Sequence, residues 1–148
     1  MATSISPLEV ADCEVLHAIE QQAHSHPWSL PTIQSCFGGL YHNIGLYEAN
    51  EIVGFAIVQQ VIDEATLMDI CVSPACQGKG YGKQLLKQVL EQAQHRGVKI
   101  MMLEVRASNQ AAIALYLKLG FTETYRREGY YPTESGREDA IMMELTLT

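Results

Sequence analysis

Gln77-Gly78-Lys79-Gly80-Tyr81-Gly82-Lys83 joins an apolar run, Ala65-Thr66-Leu67-Met68-Asp69-Ile70-Cys71-Val72, to a stretch in which Leu85, Leu86, Val89, Leu90 and Ala93 recur at helical spacing. The run stops at Ser73-Pro74 and reads as a strand. The periodic stretch reads as an amphipathic helix with Gln84, Lys87, Gln88 and Glu91 on its wet side. A glycine-rich link at a helix start gathers free main-chain N–H groups and the positive end of the helix dipole at one point, which is an anion site. Glycine also lets the backbone approach a phosphate closely.

The spacing excludes two common phosphate loops. A Walker loop needs glycine where Gln77 stands and a hydroxyl residue where Gln84 stands. A dinucleotide fingerprint needs glycine at Lys83, counted from Gly78, or at Leu85, counted from Gly80. What remains is Q-x-x-G-x-G on Gln77, Gly80 and Gly82. A turn that merely reverses the chain is the competing reading, and the helix start directly after it weighs against that.

Working outward, residues 5–10 read as a strand, followed by a helix from about Asp12, which can cap it, with Leu16, Ile19 and Ala23 in phase. His24-Ser25-His26-Pro27-Trp28 breaks that helix. Ser29 caps a second, short one that carries Ile33, Cys36 and Phe37 and ends at Gly38-Gly39. Residues 43–49 and 52–62 read as a hairpin turning at Asn50-Glu51, with 65–72 as the third strand of a meander. Gly97 closes the long helix, 100–106 is a strand, 109–119 a helix closed by Gly120, and 122–131 and 140–147 are two more strands. The order predicts an α/β (α+β) fold. A mixed, mostly antiparallel central sheet carries helices on both faces, in one domain over residues 1–148.

The 148 residues carry a net charge of −7, with 47% hydrophobic and 18% charged side chains. That composition supports a packed core and argues against a nucleic-acid partner, whose phosphates demand clustered Lys and Arg. It suits a basic acceptor. Cys13, Cys36, Cys71 and Cys76 form no C-x-x-C pair, no apolar run is long enough to span a bilayer, and the start has no secretory pattern. The expectation is a cytoplasmic protein with reduced thiols and no membrane partner.

Two motifs together carry a family resemblance. Gln77-x-x-Gly80-x-Gly82 after the strand ending Ile70-Cys71-Val72 resembles the pyrophosphate-binding motif of the Gcn5-related N-acetyltransferases (GNAT). Asn109-x-x-Ala112-x-x-Leu115-Tyr116-x-x-x-Gly120-Phe121 is similar to that family's second coenzyme A motif. Asp63-Glu64-Ala65-Thr66-Leu67, Leu103-Glu104-Val105-Arg106-Ala107-Ser108-Asn109, Tyr130-Tyr131-Pro132-Thr133 and Gly136-Arg137-Glu138-Asp139-Ala140 resemble a narrower bacterial branch. That branch acetylates the N-terminal alanine of a small-subunit ribosomal protein, number eighteen.

The resemblance implies acetyl-CoA as cosubstrate, no metal, and the N-terminal segment of that ribosomal protein as acceptor. It implies that Ile70, Cys71 and Val72 pair with the pantetheine arm and polarise the thioester carbonyl through main-chain N–H. Gly78, Lys79, Gly80, Tyr81, Gly82 and Lys83 wrap the pyrophosphate, and Asn109 contacts coenzyme A. Glu104 is then the general base and Tyr116 the general acid. The chain departs from the commoner pattern at Gly78, where a basic residue is frequent; Lys79 or Lys83 supplies that charge. Other acceptors in the same class are another protein N-terminus, a lysine or a small amine, and a non-catalytic acetyl-CoA-binding module is the alternative class.

The chemistry can be weighed without the family. Acetyl transfer from a thioester to an amine needs a base for the ammonium, donors for the oxyanion and a proton for the leaving thiolate. Glu104 is a carboxylate in an apolar strand, where desolvation raises a pKa toward that of a useful base; an ion pair with Arg106 on the same strand face competes. Tyr116, among Ile113, Leu115 and Leu119, reads without the family as ordinary packing with its hydroxyl reaching solvent. His24 and His26 suggest a metal, but no third ligand has suitable spacing, and a solvated loop is the expectation. Cys71 reads as a small buried hydrophobe and not a nucleophile. Trp28 either lines the acceptor cleft or anchors the first loop; Tyr130, Tyr131, Glu138 and Asp139 either recognise a basic peptide or form a polar loop.

Overall fold

The computed structural model describes residues 2–147; Met1 and Thr148, the two ends of the expected domain, lie outside the described residues. The chain runs β1 (Thr3–Pro7), a 3-10 turn (Val10–Asp12), α1 (Cys13–Ala23), α2 (Leu30–Gln34), β2 (Ile44–Glu48), β3 (Glu51–Val61) and β4 (Glu64–Val72). A second 3-10 turn (Pro74–Cys76) leads to α3 (Tyr81–His95), β5 (Ile100–Arg106), α4 (Gln110–Lys118), β6 (Thr122–Thr133) and β7 (Gly136–Thr146). The strands form one sheet in the order β1-β2-β3-β4-β5-β7-β6. Among the described residues only β4 and β5 are parallel neighbours, joined by the α3 crossover, so the sheet is mixed and mostly antiparallel as expected.

Helices cover both faces. On one, Leu85, Leu86 and Val89 of α3 and Tyr116 of α4 pack with Ala56, Val58, Leu67 and Leu103. On the other, Cys13, Leu16 and Ile19 of α1 and Ile33 of α2 pack with Phe55, Ile57 and Cys71. Phe55 and Ala56 are consecutive in β3 and serve opposite cores, as strand alternation requires. Phe55 is fully buried. Phe55→Ala should therefore cost about 3–5 kcal/mol of stability, seen as a lower denaturant midpoint at unchanged slope.

Several local features differ from the expectations. The first strand ends at Pro7, because Glu9 and Asp12 form a reciprocal capping box around the 3-10 turn, with the Glu9 N–H donating to Asp12 Oδ2 at 2.8 Å. Asp12 thus closes that turn and makes no side-chain cap on α1. The β2–β3 hairpin turns at Ala49-Asn50, both with positive φ (53° and 66°), one residue before the expected Asn50-Glu51. The two C-terminal strands extend further toward one another than expected, meeting near Thr133 and Gly136. Ser29 does cap the second helix, its Oγ accepting from the Thr32 N–H at 3.3 Å, and Gly97 and Gly120 follow α3 and α4 in left-handed conformations.

One irregularity positions the site. Along β3–β4, Ile57 pairs with Asp69 and Val58 with Leu67, so Met68 is bulged out of the ladder. The β4–β5 pairing ends at the same point, with Leu67 opposite Leu103. Beyond that pair the two parallel strands part, and the residues on their outer ends face one another across a gap.

Candidate active site

The gap is a cleft of about 640 Å³ whose lining includes Asp69 and Ile70 of β4, Glu104 of β5, Asn109, Tyr116 and Tyr131. Parting of the strands lets side chains from both sheet faces reach it. Met101, Leu103 and Val105 of β5 are buried toward α3, which turns Glu104 to the opposite face. Tyr116 reaches the cleft from the α4 side.

Glu104 Oε1 is buried and has no hydrogen-bond partner. Arg106 does not neutralise it. Its guanidinium instead meets Glu138 at 3.5 Å, donates to the Pro132 carbonyl at 3.2 Å, and stacks 4.2 Å from the Tyr131 ring centroid. Tyr131, on β6, has its phenol pKa pushed up to about 12 by burial and then by the Glu104 charge. Its role was left open by the sequence; the fold sets it beside the carboxylate. Tyr116 is 5% exposed, its ring tilted against Phe121 at 5.8 Å, and burial pushes its phenol well above the ordinary tyrosine range. A phenol so held stays protonated, as an acid must.

At the parted end of β4, Ile70, Cys71 and Val72 keep β3 as their only strand neighbour, opposite Ala56, Phe55 and Gly54. The Gln77 side chain donates to the Val72 carbonyl at 3.1 Å, which ties the glycine loop to the strand end. Gly78 and Gly80 have φ of +84° and +80°, and a Cβ at either would meet nothing within 4 Å, so backbone conformation alone demands glycine there. Gly80 is the N-cap of α3, and Gly82 lies in its first turn.

The loop's side chains divide. Tyr81 turns inward, buried, with its hydroxyl donating to Glu48, so only its main chain faces the loop. Lys79 is held by Glu48 at 3.5 Å and lies over the Tyr81 ring. Lys83 is different: Lys118 at the end of α4, then Lys87, press its pKa below the ordinary lysine value. No ion pair of Lys83 or Lys118 is found among the described residues. Lys118 escaped the sequence reading because 35 positions separate it from Lys83 and only the fold joins them. Asn109 caps α4, its Oδ1 accepting from the Ala112 N–H at 3.3 Å, while lining the cleft.

The expectation for His24 needs correction. It is not a solvated loop residue but lies 3.4 Å from Asp69 and 3.9 Å from Glu20, whose side chain is 1% exposed. Burial first, then Asp69, raises the Glu20 pKa to about 8, and Asp69 raises that of His24. His26 does stay exposed, beside Ser25. Trp28 does both things weighed for it, lining the cleft and packing on the α1 core, and its main-chain N–H donates to Glu20 Oε2 at 3.0 Å. All four cysteines are buried free thiols, and burial drives the Cys71 thiol far above its usual pKa, which leaves it a poor nucleophile.

A model of the acetyltransferase (GNAT) family matches residues 8–121, a span that holds the glycine loop, Glu104 and Tyr116. The [ribosomal protein bS18]-alanine N-acetyltransferase of Escherichia coli K12 is 48% identical over 145 residues, 98% of each chain. That of Haemophilus influenzae is 49% identical over 140 residues, covering 94% of this chain and 95% of its own. The crystal structure of the Escherichia coli ribosomal-protein-S18-alanine N-acetyltransferase superposes with a TM-score of 0.97 at 48% identity, over 99% of this chain and 95% of that one. A Salmonella typhimurium acetyltransferase solved with its cofactor acetyl-CoA shares the fold, with a TM-score of 0.84 at 22% identity over 100% and 95%. The family match over residues 8–121 and the near-full-length identity place this chain in the GNAT acetyltransferase family.

Proposed function

We propose that the protein is an N-α-acetyltransferase that moves the acetyl group of acetyl-CoA directly onto the N-terminal alanine of ribosomal protein bS18. One observation carries the chemistry: the Glu104 carboxylate, buried and unpartnered at Oε1, opens on the same cleft as the neutral Tyr116 phenol. The near-full-length identity to bS18-alanine acetyltransferases supports this acceptor. Such an acceptor puts the reaction in the cytoplasm, and an acidic chain of net charge −7 suits an acceptor segment with basic residues and asks for no nucleic-acid contact.

Glu104, directly or through a water, takes a proton from the acceptor ammonium. An α-amino group has a pKa near 8, so modest assistance suffices near neutrality. The main chain at Ile70, Cys71 and Val72 binds the pantetheine arm as an added strand would, and an N–H there holds the developing oxyanion. Tyr116 gives its proton to the departing thiolate. The main chain from Gly78 to Lys83, left-handed at Gly78 and Gly80 and helical from Tyr81, turns its N–H groups on the pyrophosphate, with Asn109 contacting coenzyme A from the N-cap of α4.

Lys83 and Lys118 supply the phosphate charge that Gly78 does not. Two ammonium groups pressed together repel, and a phosphate between them relieves that repulsion. Lys118→Ala should raise the KM for acetyl-CoA about three- to tenfold with little change in kcat, an effect that weakens as salt is raised. Equal KM values at low salt would remove Lys118 from the binding site.

The acceptor is tested by thiol release from acetyl-CoA with a panel of alanine-terminal peptides, lysine peptides and polyamines. Turnover confined to free alanine N-termini is the expected result. Turnover on lysine side chains or polyamines alone would overturn the acceptor, and acetyl-CoA binding without turnover on any of them would overturn the enzyme.

A further inference from the structure

Two elements each turn a pair of metal-binding side chains to one point. On α1, Glu20 and His24 are four residues apart and share a helix face; on β4, Asp69 and Cys71 are two apart and share a strand face. The donor atoms of Glu20, His24 and Cys71 all lie within 4.8 Å of one another. His24 Nε2 is 3.4 Å from Asp69 Oδ1. Among the described residues Glu20 Oε1, His24 Nε2 and Asp69 Oδ2 are buried without a hydrogen-bond partner, the Glu20 side chain being 1% and the Asp69 side chain 9% exposed. Orphaned buried carboxylate oxygens are costly, and two such side chains beside one imidazole, one of them also near a thiol, leave a pocket that a cation would complete.

We propose that Glu20, His24, Asp69 and Cys71 bind one divalent transition-metal ion, zinc by its donor set, on the α1 side of the cleft. Mixed nitrogen, sulfur and oxygen ligands in fourfold number suit zinc, whereas calcium and magnesium take oxygen alone. Ligand atoms around zinc stand roughly 3.5–3.8 Å apart, so Glu20, His24 and Cys71 need close by only about 1 Å, and Asp69 Oδ1 already stands 3.4 Å from His24 Nε2. Second contacts already steer the ligands: Glu20 Oε2 is fixed by the Trp28 N–H at 3.0 Å, and Cys71 Sγ points at the Ile19 carbonyl at 3.8 Å. On binding, the Cys71 thiol gives its proton to solvent and coordinates as thiolate. The ion ties the end of α1, and through Glu20 the Trp28 segment, to β4.

Chelator-treated, full-length protein titrated with cobalt(II) should take up one equivalent and develop the intense near-ultraviolet charge transfer of a cobalt–thiolate bond. Zinc should abolish that band by displacement. Cys71→Ala should lose the band, and His24→Gln, altered at a half-exposed position and so safe for the fold, should weaken cobalt binding more than about tenfold. A wild-type titration without the band, a band that survives Cys71→Ala, or full affinity in His24→Gln would each overturn the site. None of these results depends on the acetyl-transfer reading.

Discussion

Glu104→Gln should lower kcat near neutral pH by about 10²–10³, within the range for loss of a general base, while acetyl-CoA binds almost as before. The amide keeps the size of the carboxylate and leaves Tyr131 a neighbour that can accept a hydrogen bond, so the cleft should hold its shape. What disappears is the proton acceptor. Because the acceptor amine loses its own proton as pH passes its pKa near 8, the deficit should narrow between about pH 7 and 9. A structural role for Glu104 would give a pH-independent loss, and steady-state rates with an alanine-terminal peptide across that range separate the two. Unchanged turnover at pH 7 would take Glu104 out of the mechanism.

The same residue shows how far local pattern reaches. A carboxylate in an apolar strand marked Glu104 as unusual, yet Arg106 on its own strand face made a structural ion pair an equal reading. Only the long return of β6 and β7 brings Glu138 and Pro132 to Arg106 and frees Glu104. Some self-contained local chemistry was legible. Glycines closed α3 and α4 where helical periodicity stopped, and the strand–glycine–helix order located the loop. The Met68 bulge was not legible, since neither glycine nor proline marks it. The hairpin turn was misplaced by one residue because Ala49, a poor candidate for positive φ, takes it where Glu51 was expected to.

The acidic cluster had a signal that went unused. Cys13, Leu16, Glu20 and Ala23 follow the spacing of the buried helix face, so a charged residue sat in phase with the core. Its partners on β4 lie far along the chain, however, and helical phase alone does not reveal them. The Lys83–Lys118 pair had no comparable mark, as each is an ordinary surface lysine on its own helix.

Tyr116→Phe should lower kcat by about 10², at the lower end for an acid–base residue. The size follows from the leaving group: an alkyl thiol has a pKa of only about 8.5, so its thiolate departs with less help than an alkoxide or amine would need. Stability should change little, because the ring that packs on Phe121 is retained. Burial holds the phenol neutral beyond its ordinary pKa near 10, so the wild-type rate should not fall between about pH 9 and 10 on account of this group. In Glu104→Gln the amine step becomes slower than thiolate departure, and adding Tyr116→Phe should then cost much less than its separate effect. Two losses that simply multiply would mean both residues act in one rate-limiting step, and a single Tyr116→Phe enzyme within about twofold of wild type would leave thiolate protonation to solvent.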